Sequence, residues 1–200
     1  MKILIITGPS GSGKTTLSNR LINSLKDAIV ISTDSYYKDN ILIRLLSIFI
    51  FDIYDRIISI KKKEINDTLN SIINKQTLIN YYQYDFKRYV STKTKIKNNY
   101  KKCSKFLIIE GIFSHRLSLN YHETINIVCE DKKEICFNRR ILRDTIERGR
   151  NRNEIKKKFY KSWYLFYKNI KKYITNYKVI RMDQADENTY NKLVDYLNKL

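Results

Sequence analysis

Gly8-Pro9-Ser10-Gly11-Ser12-Gly13-Lys14-Thr15 decides the fold. Its spacing is Gly-x-x-x-x-Gly-Lys-[Ser/Thr], and its context is strand–loop–helix. The apolar run Ile3–Ile6 enters it through Thr7, and Leu17, Leu21, Ile22 and Leu25 follow on one helical face. Glycines let the backbone turn so that several N–H groups point inward at phosphate oxygens. The helix that follows adds its positive N-terminal end. Lys14 is placed to neutralise the β- and γ-phosphates, and the Thr15 hydroxyl to ligate Mg²⁺. Gly8, Ser10, Gly11, Ser12, Gly13, Lys14, Thr15 and Thr16 are therefore the expected binding residues for ATP or GTP.

Outward from this loop, short apolar runs recur. Ala28–Ser32 ends at Thr33-Asp34, and Phe106–Ile109 ends at Glu110-Gly111; Ile125–Cys129 and Lys178–Met182 complete a set of five. Helical spacing fills the gaps: Ile65, Leu69, Ile72 and Ile73; an arginine-rich stretch from Asp131 to Glu147; and Tyr190, Leu193, Val194 and Leu197. Alternation of this kind predicts an α/β fold, a five-stranded parallel sheet with helices on both faces. Pro9 is the sole proline and no repeat is present, so residues 1–200 read as one domain. Ile41–Ile60 is apolar but interrupted by Arg44, Asp52, Asp55 and Arg56, and reads as an amphipathic helix, a lid or a partner surface.

A phosphate-binding loop serves ATPases, GTPases and kinases alike. No Asn-Lys-x-Asp segment marks a guanine site. A kinase needs a carboxylate beside the acceptor hydroxyl and arginines to hold migrating charge. Strand C-termini line the ligand crevice of a doubly wound sheet, which puts Asp34 near the γ-phosphate and turns Glu110 toward the same crevice as a Mg²⁺ ligand. Arg139, Arg140, Arg143, Arg148 and Arg150 lie in one short window that bends at Gly149. They read either as a mobile basic lid spanning roughly residues 138–160 or as a solvated face paired with Asp144 and Glu147.

Net charge is +19, with 39 Lys and Arg against 20 Asp and Glu, so weak nonspecific polyanion binding is to be expected alongside phosphate handling. The three cysteines, Cys103, Cys129 and Cys136, form no Cys-x-x-Cys pair and read as free thiols. Neither a signal-peptide pattern nor a transmembrane segment is read, and a cytoplasmic location is expected. Oligomeric state is not readable.

The motifs resemble those of the uridine kinase/phosphoribulokinase family, with the closest likeness to uridine-cytidine kinases. The pieces occur in family order: GPSGSGKTT, STDSYYKD, YYQYDFKR, FLIIEGIF and RRILRDTIERGR. The resemblance implies that Asp34 is the base for a 5′-hydroxyl and Tyr37 an aromatic at the acceptor. It implies that Tyr84 and Phe86 help form the nucleoside-base pocket and that Asp55 binds ribose hydroxyls. Arg140 would contact ribose or phosphate, while Arg143, Arg148 and Arg150 would surround ATP and the transferring phosphate. With Lys14, Asp34, Arg140 and Arg143 form the implied catalytic set. Two positions depart from the family. Tyr89 stands where a base-reading histidine is usual, and Gln83 where a proline precedes the Tyr-Asp-Phe motif. His115 and His122 read as surface or packing residues.

The expectation is an ATP- or GTP-dependent kinase for a small-molecule hydroxyl, above all a pyrimidine nucleoside. A kinase for another alcohol, such as a phosphosugar or a pantothenate-like acceptor, is the nearer alternative. A nucleotide-dependent polyanion-binding regulator without transferase activity is the more distant one.

Overall fold

A computed structural model describes residues 1–25, 27–50, 52–97, 104–117 and 124–200; Cys103 and His122 lie outside them. The strands are β1 (Lys2–Thr7), β2 (Ala28–Ser32), β3 (Leu78–Asp85), β4 (Val90–Lys97), β5 (Phe106–Glu110), β6 (Thr124–Cys129) and β7 (Val179–Met182). The helices are α1 (Lys14–Leu25), α2 (Ile41–Phe49), α3 (Lys62–Ile73), α4 (Lys133–Arg148), α5 (Arg152–Asn176) and α6 (Glu187–Asn198).

Five strands form a parallel sheet in the spatial order β2-β5-β1-β6-β7, the sheet the sequence predicts. β1 lies at its centre, and alternate side chains of its apolar run are buried on opposite faces. Ile3 and Ile5 pack with Ile31, Leu107 and Ile109 against Ile65, Leu69 and Ile72 of α3. Leu4 and Ile6 pack with Ile108 and Ile127 against Leu17 and Leu21 of α1 and Leu193 and Leu197 of α6. A fully enclosed side chain such as Leu21 contributes about 2–3 kcal/mol by leaving water. α5 adds Phe166, Ile170 and Tyr173 beside the β7 edge, and the Tyr173 hydroxyl donates to Asn126 Oδ1 at 2.6 Å.

Sheet register fixes the site. Ser32, Glu110 and Ile6 are level across β2, β5 and β1, and Thr7 is level with Val128 of β6. All of these strands therefore deliver their following loops to one edge. Gly111 makes the closest approach there. A Cβ on it would stand 1.9 Å from Thr33 Oγ1, so only glycine lets the β5 exit lie against the turn that carries Asp34.

Two elements were not expected from the sequence. β3 and β4 form an antiparallel hairpin from Leu78↔Lys97 to Asp85↔Val90. Its turn is held by Asp85 Oδ1, which accepts from the N–H groups of Lys87 and Arg88, and by Tyr89 at a left-handed φ of 57°. α5 runs for 25 residues from an Asn151 cap, whose Oδ1 accepts from Glu154 N at 2.8 Å. Within Ile41–Ile60, the expected helix is α2. It buries Ile43 and leaves Ile41, Leu42, Ile48 and Phe49 largely exposed. His115 packs against Phe166 and Tyr173, with Nδ1 2.9 Å from Thr7 Oγ1, and burial pushes its pKa down to about 3. Cys129 and Cys136 are buried free thiols, and burial raises them to about 12 and about 11. No helix among the described residues is long and apolar enough to cross a membrane.

Candidate active site

A cleft of about 620 Å³ opens at the C-terminal edge of the sheet. At its floor the phosphate loop wraps from β1 into α1. Lys14 is buried, and its ammonium donates to Pro9 O at 2.9 Å, which holds it inside the loop. Gly13 has φ 82°, and a Cβ there would run into the Gln184 side chain at 2.3 Å. The second residue after the last strand therefore closes over the loop. Gln184 was not singled out in the sequence, although it follows β7 by two residues just as Asp34 follows β2. Ser12 Oγ is buried without a hydrogen-bond partner among the described residues.

Beside the loop stand the two carboxylates. Glu110 is 4% exposed, and Thr15 Oγ1 donates toward its Oε2 at 3.5 Å. Burial raises the Glu110 pKa, the nearby Asp34 carboxylate raises it further, and Lys14 opposes both. Asp34 sits in the short 3₁₀ turn Thr33–Tyr36 that follows β2, and its buried Oδ1 has no hydrogen-bond partner among the described residues. A buried carboxylate oxygen left open is costly, and a donor arriving from a ligand relieves that cost.

Four of the five arginines form neither a solvated face nor a loose run of charges, while Arg139 is 40% exposed and pairs with Asp131. Asp144 is 0% exposed, and four guanidiniums converge on its carboxylate. Arg143 lies at 2.7 Å, Arg150 at 3.3 Å, and Arg140 and Arg148 at 3.5 Å each. Burial alone would raise the Asp144 pKa, but Arg143, Arg148 and Arg140 overcome it and hold the carboxylate below its ordinary value. The backbone takes part as well. α4 ends at Gly149 in a left-handed cap, and the N–H groups of Gly149 and Arg150 both donate to the Asp144 carbonyl. From this hub Arg143 reaches Ser10 Oγ of the phosphate loop at 3.2 Å, and Arg140 donates to Ser162 Oγ of α5 at 2.7 Å. Arg148 lies 3.8 Å over the Phe86 ring. Its burial and the neighbouring Arg143 lower its pKa to about 10.

Above the carboxylates is an aromatic chamber. Tyr37 meets Tyr84 at 5.4 Å and Phe86 at 5.8 Å between ring centroids, and Tyr84 meets Phe86 edge-on at 5.0 Å. Tyr54 bridges Tyr37 to Tyr89. Asp55 lies not on a surface helix but in the turn Ile53–Asp55, and it lines the cleft. Burial lifts its pKa to about 6 against the pull of Arg140 and Lys158. The cleft thus brings together Ser10, Gly11, Gly13, Lys14, Thr15 and Thr16 of the loop with Asp34, Glu110 and all five arginines of the window. Tyr37, Asp55, Tyr84 and Phe86 stand on its other side. Gly8 and Ser12 lie beneath the loop: a Cβ on Gly8 would stand 2.4 Å from Ser12 Oγ.

A phosphate-binding loop at the switch point of a parallel sheet, facing a second chamber across a carboxylate, defines a P-loop phosphotransferase. Residues 3–189 match the family described as Phosphoribulokinase / Uridine kinase, and the chain belongs to that family. It is 33% identical over 148 residues to the uridine kinase of Clostridium novyi, covering 72% of this chain and 69% of that protein. With the uridine kinase of Ureaplasma parvum it shares 30% over 153 residues, covering 74% and 72%. Among solved structures, a possible uridine kinase from Bacillus stearothermophilus superposes with a TM-score of 0.56 at 17% identity, covering 91% of this chain and 88% of that one. That last likeness carries the fold alone.

Proposed function

We propose that the chain transfers the γ-phosphoryl group of ATP or GTP to the 5′-hydroxyl of a pyrimidine nucleoside. One observation carries the proposal: Asp34, whose buried Oδ1 has no hydrogen-bond partner among the described residues, lines the same cleft as the phosphate loop and the rings of Tyr37, Tyr84 and Phe86. The names of the curated relatives agree with it.

In this mechanism the loop N–H groups and Lys14 hold the donor phosphates. Asp34 orients the acceptor hydroxyl and takes its proton as the oxygen attacks. Arg140 and Arg143, fixed by Asp144, stabilise charge on the migrating phosphoryl group. Asp55 accepts hydrogen bonds from the ribose hydroxyls, and the rings hold the base. The α4–α5 junction, within residues 138–160, closes as a lid and keeps water out. A divalent cation fits the donor set. Mg²⁺ needs only one or two protein oxygens beside the phosphates, and Thr15 and Glu110 provide them next to the open oxygen of Asp34. Bound there, it would neutralise the β- and γ-phosphate oxygens.

An ADP/GDP-release screen over nucleosides, phosphosugars and small alcohols, with each donor, tests the proposal. Uridine or cytidine should raise release well above the acceptor-free rate. Background release with every nucleoside, together with a rise on a sugar or vitamin alcohol, would replace the nucleoside by that acceptor.

Asp55 gives the reaction a pH signature. With its pKa raised to about 6, the carboxylate that holds a diol is lost on acidification through that value. Acceptor KM should be flat above pH 7 and rise about tenfold per pH unit well below 6. Asp55→Asn should raise KM at neutral pH and flatten the profile. Initial rates at saturating donor from pH 5 to 8 check this. The same shift acts on stability with a definite sign. The folded state favours the protonated group, so this contribution is full below the unfolded pKa and is lost as pH rises through 6.

A further inference from the structure

α5 carries more charge than the cleft uses. It holds Arg152 and seven lysines against one acid, Glu154, whose Oε1 accepts from Lys158 at 2.6 Å. Over the whole chain cations outnumber acids 39 to 20, so a general lysine excess leaves about one acid for every two cations. Eight to one on a single helix is not that background. α3 and α6 are twelve residues each and carry two acids apiece.

The excess is also ordered. Lys157, Tyr160, Tyr164, Lys168, Lys171 and Lys172 fall, at 3.6 residues per turn, within an arc of about 120° and along roughly 22 Å of helix. All of them are exposed. Lys161 lies in the same arc and bridges Asp52 at 3.5 Å. Between Lys157 and Lys172 the arc contains neither an acid nor an aliphatic residue. The packing of α5 does not need this face, because Ile155, Phe159, Phe166, Ile170 and Tyr173 point the other way and are buried. Tyr160 is 45% and Tyr164 65% exposed, and Lys133 of α4 sets a further ammonium 4.4 Å from the Tyr160 ring centre.

Lysines interleaved with open aromatic rings match the chemistry of a single nucleic-acid strand. Ammonium groups neutralise the backbone while unstacked bases lie on the rings. An anionic membrane would call for aliphatic or tryptophan side chains to insert, and this arc presents none. We propose that the exposed face of α5 binds single-stranded nucleic acid, with the lysines on phosphates and Tyr160 and Tyr164 as stacking platforms.

Fluorescence anisotropy of a labelled oligoribonucleotide, titrated over a range of salt concentrations, tests this. The triple variant Lys168→Gln/Lys171→Gln/Lys172→Gln, which lies outside the lid, should bind at least about tenfold more weakly, and its log–log salt slope should shrink by about 2. Tyr164→Ala should weaken RNA binding about tenfold while leaving binding of inorganic polyphosphate unchanged. Both variants should keep the thermal unfolding midpoint and the donor turnover of the parent. Undiminished RNA binding in the triple variant would overturn the assignment. So would a Tyr164→Ala variant that loses nothing, which makes the face a plain polyelectrolyte surface. Tighter binding to phosphatidylserine vesicles than to RNA would overturn it in favour of a membrane.

Discussion

Asp144→Asn is expected to lower kcat/KM for the acceptor by at least about 10²-fold and to destabilise the fold by about 3–5 kcal/mol. The carboxylate is fully enclosed and faces four guanidiniums within 3.5 Å. Asparagine keeps the shape but removes the negative charge that the four guanidiniums share. Arg140 is itself buried, so its charge would then stand in a dry environment beside three others of the same sign. The cluster has to splay, and Arg143 is then lost from Ser10 and Arg148 from Phe86. The first contact reaches the donor loop and the second the acceptor chamber, so both KM values should rise and kcat should fall. A purely structural role predicts something different: urea unfolding would show the loss, while the surviving folded enzyme would keep normal kcat at low temperature. Normal kcat in that fraction would sink the positioning role.

The physical reason Asp144 could not be ranked from sequence is that RRILRDTIERGR fits two environments equally well. On a solvated helix, Asp144 with Arg140 and Arg148 at i±4 is an ordinary surface pair of small value. Only the packing of α5 over α4, which brings Ser162 against Arg140, dries the cluster and turns the pair into a hub. Asp55 was ambiguous for a related reason. A three-residue turn leaves no periodic signature, so nothing local separated a cleft-lining carboxylate from a surface one.

The sheet, by contrast, was readable because its strands are buried on both sides. β5 is buried at all five positions, and a run such as Phe106–Ile109 bounded by Glu110-Gly111 has few other ways to fold. The β3–β4 hairpin leaves little trace in the sequence because β4 buries almost nothing. Val90–Lys97 alternates threonine and lysine, and its pairing depends on β3 and the Asp85 turn, not on a hydrophobic pattern of its own. In α5, lysines conceal the spacing of Ile155, Phe159, Phe166 and Ile170. The strand-end rule that located Asp34 and Glu110 extends to Gln184 after β7. Its contact with Gly13 shows that the rule holds at the far side of the loop as well.

Asp34→Asn is expected to lower kcat by about 10²–10⁴-fold while leaving donor binding and fold stability intact or slightly improved. The sign of each part follows from one oxygen. Asp34 Oδ1 is buried and makes no hydrogen bond among the described residues, so the folded protein gains little from its charge. That charge also raises the pKa of Glu110, so neutralising it makes Glu110 easier to ionise. Donor binding in the presence of Mg²⁺ should therefore hold or tighten, as followed by titration with a fluorescent nucleotide analogue. Transfer should still collapse, because an amide cannot take the proton of the attacking hydroxyl. The contrast with Asp144→Asn separates the two carboxylates: one substitution costs stability and both KM values along with kcat, the other kcat alone. An Asp34→Asn enzyme with near-normal turnover would place the proton acceptor elsewhere. Glu110 adjoins both Lys14 and Asp34, and Glu110→Gln would be the next variant to measure.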